Sequence, residues 1–160
     1  MVIIGIDPGT ATTGFGVIEK IKSSTFKVLD FGVISTPKSA TDGERLKILA
    51  DDIALLIKKY KPDVAGVEKI FFTTNQKTVI TVAQARGVIL LNLEQYNIPI
   101  QEYTPLQVKS TICGYGKADK KQVQFMVKKT FNLKTVPKPD DAADALAIAL
   151  CAGLQARQNH

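Results

Sequence analysis

The chain has 160 residues, a formal net charge of +6 with a pI near 9.3, and a hydrophobic share of 45%. These values fit one globular domain with an ordinary core, argue against long disorder, and leave no apolar stretch near the roughly 20 residues of a membrane span. The sole histidine is His160, which excludes a Ser-His-Asp triad, a Cys-His pair and any His-ligated zinc site, so carboxylates with a hard metal ion are the chemistry to expect.

Val2 to Ile6 reads as a buried strand that delivers Asp7 into the Pro8-Gly9 turn. A carboxylate at the mouth of a central strand is costly to bury without a cation. The strand opens the chain without a charged leader, so no signal peptide is expected. Residues 13–20 and 25–35 read as strands separated by Lys22-Ser23-Ser24, and with the first they predict an antiparallel meander. Gly9, Gly14 and Gly16 lie between two strands, so they are hairpin and close-packing glycines and not a dinucleotide fingerprint.

Thr41-Asp42-Gly43-Glu44 is a capping-box pattern before Leu46, Leu49, Ile53, Leu56, Ile57 and Tyr60, which share one helical face up to the stop at Lys61-Pro62. Asp63 to Val67 predicts a short buried strand ending on Glu68. A Phe- and Thr-rich loop, 71–75, precedes a helix over about 77–96 that is apolar on more than one face. Such a helix is buried within the chain, or packs its second face on another subunit. Pro99 to Tyr103 predicts a fifth strand, and Thr104-Pro105 opens a helix broken by Gly114-Tyr115-Gly116. Asp119 and Gln122 cap a helix over about 120–131, and Pro139 opens the last, about 140–156. Cys113 and Cys151 lack metal-ligand spacing and read as small core residues in a reducing, cytoplasmic setting.

The predicted fold is α/β: a mixed five-stranded sheet flanked by helices, with strands 1–3 an antiparallel meander and strands 1, 4 and 5 parallel. Ligands bind at the carboxyl edge of parallel strands. Asp7 and Glu68 end neighbouring strands in this topology and should lie side by side. On the last helix Asp141 and Asp144 are three apart and Asp140 and Asp144 four apart, so either pair shares a face. These carboxylates repel unless neutralised. Two Mg²⁺ ions about 3.5–4 Å apart, with Mn²⁺ as a substitute, would neutralise them and form a phosphoryl-transfer site.

The basic charge is concentrated. Residues 101–138 hold eight lysines (Lys109, Lys117, Lys120, Lys121, Lys128, Lys129, Lys134 and Lys138) against Glu102 and Asp119, the pattern of a face that tracks a phosphate backbone. Lys120 opens its helix, where the dipole disfavours a cation, which points to an anion nearby. Phe71-Phe72 after a strand end would ordinarily be core. In a polar Thr-Thr-Asn-Gln loop, one exposed ring could instead hold an unstacked base, worth roughly 1–3 kcal/mol.

Ile4-Gly5-Ile6-Asp7-Pro8-Gly9, Val67-Glu68-Lys69-Ile70-Phe71, Gln84-Ala85-Arg86-Gly87-Val88, Gly114 to Lys120 and Asp141 to Ala147, in this order and spacing, resemble the RuvC Holliday junction resolvases of the ribonuclease H-like superfamily. The resemblance runs nearly end to end. It implies a homodimer that binds four-way DNA junctions and makes paired, symmetric, Mg²⁺-dependent nicks in recombination and repair, with a branch-migration helicase complex as partner. It assigns catalysis and metal binding to Asp7, Glu68, Asp141 and Asp144, phosphate contacts to Lys109 and Lys120, and base stacking to Phe71. Three other readings compete: a non-catalytic junction-binding module, an actin-like kinase fragment lacking its second domain, and a nuclease of RNA–DNA hybrids using the same metal chemistry.

Overall fold

The computed structural model describes residues 1–70 and 76–156. The predicted loop 71–75, with Phe71, and the C-terminal His160 lie outside the described residues. β1 (Val2–Asp7) has Ile3, Ile4 and Ile6 fully buried, as a strand covered on both faces must. It pairs antiparallel with β2 (Thr12–Lys22), which pairs antiparallel with β3 (Thr25–Ser35). On its other side β1 runs parallel to β4 (Val64–Glu68), and β4 runs parallel to β5 (Ile100–Tyr103). The sheet order is β3-β2-β1-β4-β5, the mixed arrangement expected from the sequence.

Local signals set the helix boundaries. α1 (Asp42–Tyr60) begins at the Thr41–Glu44 capping box and ends where Lys61 turns left-handed at φ 47°, its amide donating to the Ile57 carbonyl. α2 (Gln76–Gln95) crosses from β4 to β5. α3 (Pro105–Cys113) is capped by Thr104 and stopped by Gly114 at φ 83°; α4 (Lys120–Thr130) starts at the Asp119–Gln122 capping box; α5 (Asp140–Gln155) closes the fold. Asp63 sets the start of β4 by accepting from the Val2 amide at 2.7 Å and donating its own amide to the Val2 carbonyl. Among the described residues no helix is long and apolar enough to cross a membrane.

The pleat sends alternate residues of β1 into two separate cores. Ile4 and Ile6 pack with Val17, Ile53, Ile89 and Leu93, under α1 and α2. Ile3 packs with Ile18, Val127, Leu146 and Ile148, under α3, α4 and α5. Gly5 follows Ile3 on the second face, and there α5 comes down almost onto the strand. A Cβ at Gly5 would lie 2.2 Å from the Ala145 carbonyl oxygen and 2.3 Å from the Ala149 nitrogen. Gly14 on β2 faces α5 as closely, a Cβ on Gly16 of β2 or Gly66 of β4 would meet it at 2.9 and 3.0 Å, and Ala142, Ala145, Ala147 and Ala149 of the helix are buried. The four glycines of the sheet are therefore what lets α5 lie on β1, β2 and β4.

β2 continues two residues past its predicted end at 20, to Lys22, because ladder pairing with β3 continues through register shifts that an apolar pattern does not reveal. Lys20, the last residue of the predicted strand, is buried, its Nζ donating to the Gly153 and Ala156 carbonyls at 2.7 Å each, where it caps the C-terminal end of α5.

A methyl group at Gly5 would meet backbone on both sides, so nothing flexible can yield. Gly5→Ala is expected to lower unfolding free energy by at least about 1–3 kcal/mol in urea titration. Gly43→Ala, with open space around its Cβ, is expected to be neutral or stabilising by up to about 1 kcal/mol.

Candidate active site

Asp7 is the last residue of β1 and shares the α5-facing side of the pleat with Ile3 and Gly5. Glu68 is the last residue of β4 and follows Val67, which pairs with Ile6, so the two carboxyl groups project from adjacent strand ends. α5 supplies the rest. Gly14 lets the main chain of Asp141 approach so far that a Cβ on Gly14 would sit 2.1 Å from the Asp141 carbonyl oxygen. Asp7, Asp141 and Asp144 each bring one carboxylate oxygen within 4.8 Å of the others. Glu68 is not part of that mutual group; it reaches the site through a hydrogen bond from the Asp7 carboxyl. Of the alternatives left open by helix spacing, it is Asp141 and not Asp140 that joins Asp144 at the cluster.

This crowding has an electrostatic consequence. Burial, then the charges of Glu68, Asp144 and Asp141, push the Asp7 carboxyl up to about 8. Burial also raises Glu68, with Asp144 adding to it and the hydrogen bond from Asp7 working against it. Asp144 is raised by burial, against the pull of Lys120. Lys120 Nζ stands 3.1 Å from Asp144 Oδ2 and 3.5 Å from Asp140 Oδ2. The anion expected beside this lysine is thus present in the chain itself. Burial opposes the Lys120 charge, but Asp144 and Asp140 outweigh it and hold its pKa above the ordinary value.

One ammonium does not balance the cluster. The donor set of this cluster is all carboxylate, its members sit within reach of one ion, and burial with the neighbouring charges raises the proton affinity of Asp7. That chemistry fits a hard divalent cation such as Mg²⁺ or Mn²⁺.

Glu68 borders two cavities. One is lined by Pro105, Val108, Lys109, Lys120, Val123 and Asp144, so Lys109 from the middle of α3 and Lys120 from the start of α4 flank the acids. The other is more apolar, lined by Pro8, Lys69, Ile70, Val79, Val82 and Pro105. Lys117 is exposed in the turn between α3 and α4 and lines neither. Arg86 was not among the expected site residues. From α2 its Nε donates to the main-chain carbonyl of Glu68 at 3.3 Å, and its guanidinium pairs with Glu102 on β5.

The family model described as crossover junction endodeoxyribonuclease RuvC matches residues 3–152, nearly the whole chain. The chain belongs to the RuvC family. A RuvC from Halothermothrix orenii is 53% identical over 159 residues, covering 99% of this chain and 96% of the relative. Among solved structures, RuvC from Thermus thermophilus aligns with a TM-score of 0.88 at 32% identity, covering 96% of this chain and 94% of that one. The Thermus thermophilus RuvC in complex with Holliday junction substrate aligns with the same TM-score at 29% identity and the same coverage. The sheet order and flanking helices are those of the ribonuclease H-like fold, as the sequence resemblance implied.

A carboxyl held above its ordinary value stabilises the metal-free fold below that value and loses the contribution as pH rises through the folded value. For Asp7 the window runs from 3.8 to about 8. Asp7→Asn cannot ionise, so its metal-free melting temperature is expected to rise above that of the parent progressively between pH 4 and pH 8. Scanning calorimetry in chelator, at matched ionic strength, reads this difference; parallel profiles would contradict it.

Proposed function

We propose that the protein is a metal-dependent endodeoxyribonuclease that resolves four-way (Holliday) DNA junctions by paired, symmetric nicks in recombination and repair. The observation that carries this is the meeting of Asp7, Asp141 and Asp144, with Glu68 hydrogen-bonded to Asp7, beside a cavity lined by Lys109 and Lys120. Phosphate binding alone has no use for clustered carboxylates, which disfavours a purely binding module. Family membership favours the junction over an RNA–DNA hybrid as substrate.

In this reading Asp7, Glu68, Asp141 and Asp144 hold Mg²⁺, two ions per site, with Mn²⁺ able to replace it. When bound, the metal supplies a nucleophilic water at neutral pH and charge neutralisation at the scissile phosphate. The chain's own residues do the rest. Asp7 and Glu68, on rigid strand ends, orient the reacting centre against the acids of α5. Lys109 and Lys120 line the cavity beside Glu68, where a phosphate entering meets the ammonium that neutralises Asp144 in the metal-free chain. Lys117, exposed on the neighbouring turn, extends this basic surface along the DNA backbone. Phe71, which follows Ile70 in the sequence, would stack on a base where the strands splay.

Two symmetric cuts need two sites, and a homodimer provides them. α2 supports this. Its inner face buries Ala85, Ile89 and Leu93, while Ile80 and Leu91 are 63% and 58% exposed on the outer side. Ala83 and Gly87 are exposed between them, and nothing lies within 4 Å of a Cβ built on Gly87. A mid-helix glycine costs about 0.5–1 kcal/mol relative to alanine, and nothing among the described residues requires it at position 87. Close approach of a second α2 would. The free thiols of Cys113 and Cys151 fit a reducing cytoplasm, and a branch-migration helicase complex is the partner such a junction enzyme would work with.

The deciding experiment is cleavage of a labelled, branch-mobile four-way DNA junction with Mg²⁺, beside linear duplex and RNA–DNA hybrid. Paired nicks confined to the junction are expected, with Asp7→Asn slower by about 10³-fold or more, as loss of several kcal/mol of charge stabilisation requires. Lys120→Ala is expected to slow cutting about 10²-fold with a smaller loss of junction affinity. Preferential hybrid cutting would keep the metal chemistry and replace the substrate. For the dimer, Leu91→Lys is expected to convert a two-chain species to a one-chain species in sedimentation at micromolar concentration, with its circular dichroism unchanged.

A further inference from the structure

The segment Gln84-Ala85-Arg86-Gly87-Val88 has one residue whose role neither the core nor the outer face of α2 explains. Ala85 is fully buried and Gly87 faces open space, but Arg86 turns its side chain, 21% exposed, toward the carboxyl ends of β4 and β5. Its Nε donates to the carbonyl oxygen of Glu68 at 3.3 Å, and its terminal nitrogen pairs with the Glu102 carboxylate. Just beyond, the Lys69 amide donates to the Tyr103 carbonyl at 2.7 Å. Glu68 is the last residue of its strand, and beyond this bond the regular ladder with β5 ends, so the Arg86 side chain adds a second hold on the main chain at the residue that carries the carboxylate.

We propose that Arg86 is a positioning residue for the Glu68 carboxylate, bridging α2, β4 and β5 so that this carboxylate stays turned toward Asp7 when a divalent cation binds. The inference rests on the reading of Glu68 as a metal-holding acid. A planar guanidinium meets the Glu68 carbonyl and the Glu102 carboxylate together, through two separate N–H groups. An ammonium at this position is a single compact charge, too short of reach and fork to serve both. The clamp is also separable from folding. α2 stays docked through Ala85, Ile89 and Leu93, and through the Thr10 hydroxyl, which donates to the Thr81 carbonyl at 2.7 Å.

The test measures binding of Mn²⁺ alone to the full metal-free chain, read as loss of the free-ion electron paramagnetic resonance signal, for the parent, Arg86→Gln and Arg86→Lys. Both variants are expected to raise the Mn²⁺ Kd by about 10-fold, the scale on which groups supporting a ligand act. Arg86→Lys keeps a cation opposite Glu102, so its metal-free melting temperature is expected to match the parent; it carries the test should Arg86→Gln fold poorly. Junction cleavage by Arg86→Lys is expected to fall at low Mg²⁺ and recover toward the parent as Mg²⁺ is raised. An unchanged Mn²⁺ Kd in Arg86→Lys, or a cleavage defect that saturating Mg²⁺ does not relieve, would overturn the inference. A parent that binds Mn²⁺ but leaves the junction uncut would overturn the proposed function instead, since the titration alone decides the role of Arg86.

Discussion

The approach of α5 to the sheet is the constraint on which everything else depends. A helix packs on a sheet at a distance set by the side chains between them. Here glycines at Gly5, Gly14, Gly16 and Gly66 leave room on the sheet, and buried alanines of α5 lie between its larger side chains Leu146 and Ile148. Larger residues at these positions would lift the helix and carry Asp141 and Asp144 away from Asp7. The close packing of apolar residues and the assembly of a polar site are therefore one structural event, with Lys20 holding the far end of the helix by its last carbonyls.

The electrostatics follow from that geometry. Burial at this strand edge, and then the charge of neighbouring carboxylates, raise the proton affinity of Asp7, Glu68 and Asp144, most strongly at Asp7. The N-terminal end of α5 offsets part of this, because the helix dipole favours acids in its first turn, and Lys120 offsets more at Asp144. Neither removes the repulsion. A fold that holds acids in this state against their mutual charge is preorganised for a cation, because the cost of bringing ligands together has been met by apolar packing elsewhere.

Around this centre the elements divide the work. β1 and β4 present Asp7 and Glu68, α5 presents Asp141 and Asp144, and the middle of α3 and the start of α4 bring Lys109 and Lys120 to the same cavity. α2 is the shared element. Its inner side holds the Asp7 turn through Thr81 and the Glu68 strand end through Arg86, while its outer side carries Ile80, Gly87 and Leu91.

Much of this was legible in the chain. Strand alternation, the capping boxes at Thr41 and Asp119, the stops at Lys61 and Gly114, and the parallel placement of Asp7 beside Glu68 all follow from local rules and the handedness of crossovers. The glycines at 14 and 16 read as close-packing residues, although not what they would pack against. Other features depend on contacts between residues far apart in sequence. Spacing on α5 left Asp140 and Asp141 equivalent; the family resemblance chose Asp141, and the rotation of the helix over Gly14 is the physical reason that Asp141 joins the cluster. Nothing in the composition around Lys20 marks it as a buried helix cap, since that role exists only once β2 meets the end of α5, more than a hundred residues later. Arg86 is the same kind of case: its two partners, Glu68 and Glu102, lie on different strands, and it acquires a role only when the sheet brings both to α2. The sequence by itself determined which side chains could do the chemistry and which strand ends would carry them; tertiary packing decided which carboxylates meet, because that is set by how closely one helix can lie on a sheet.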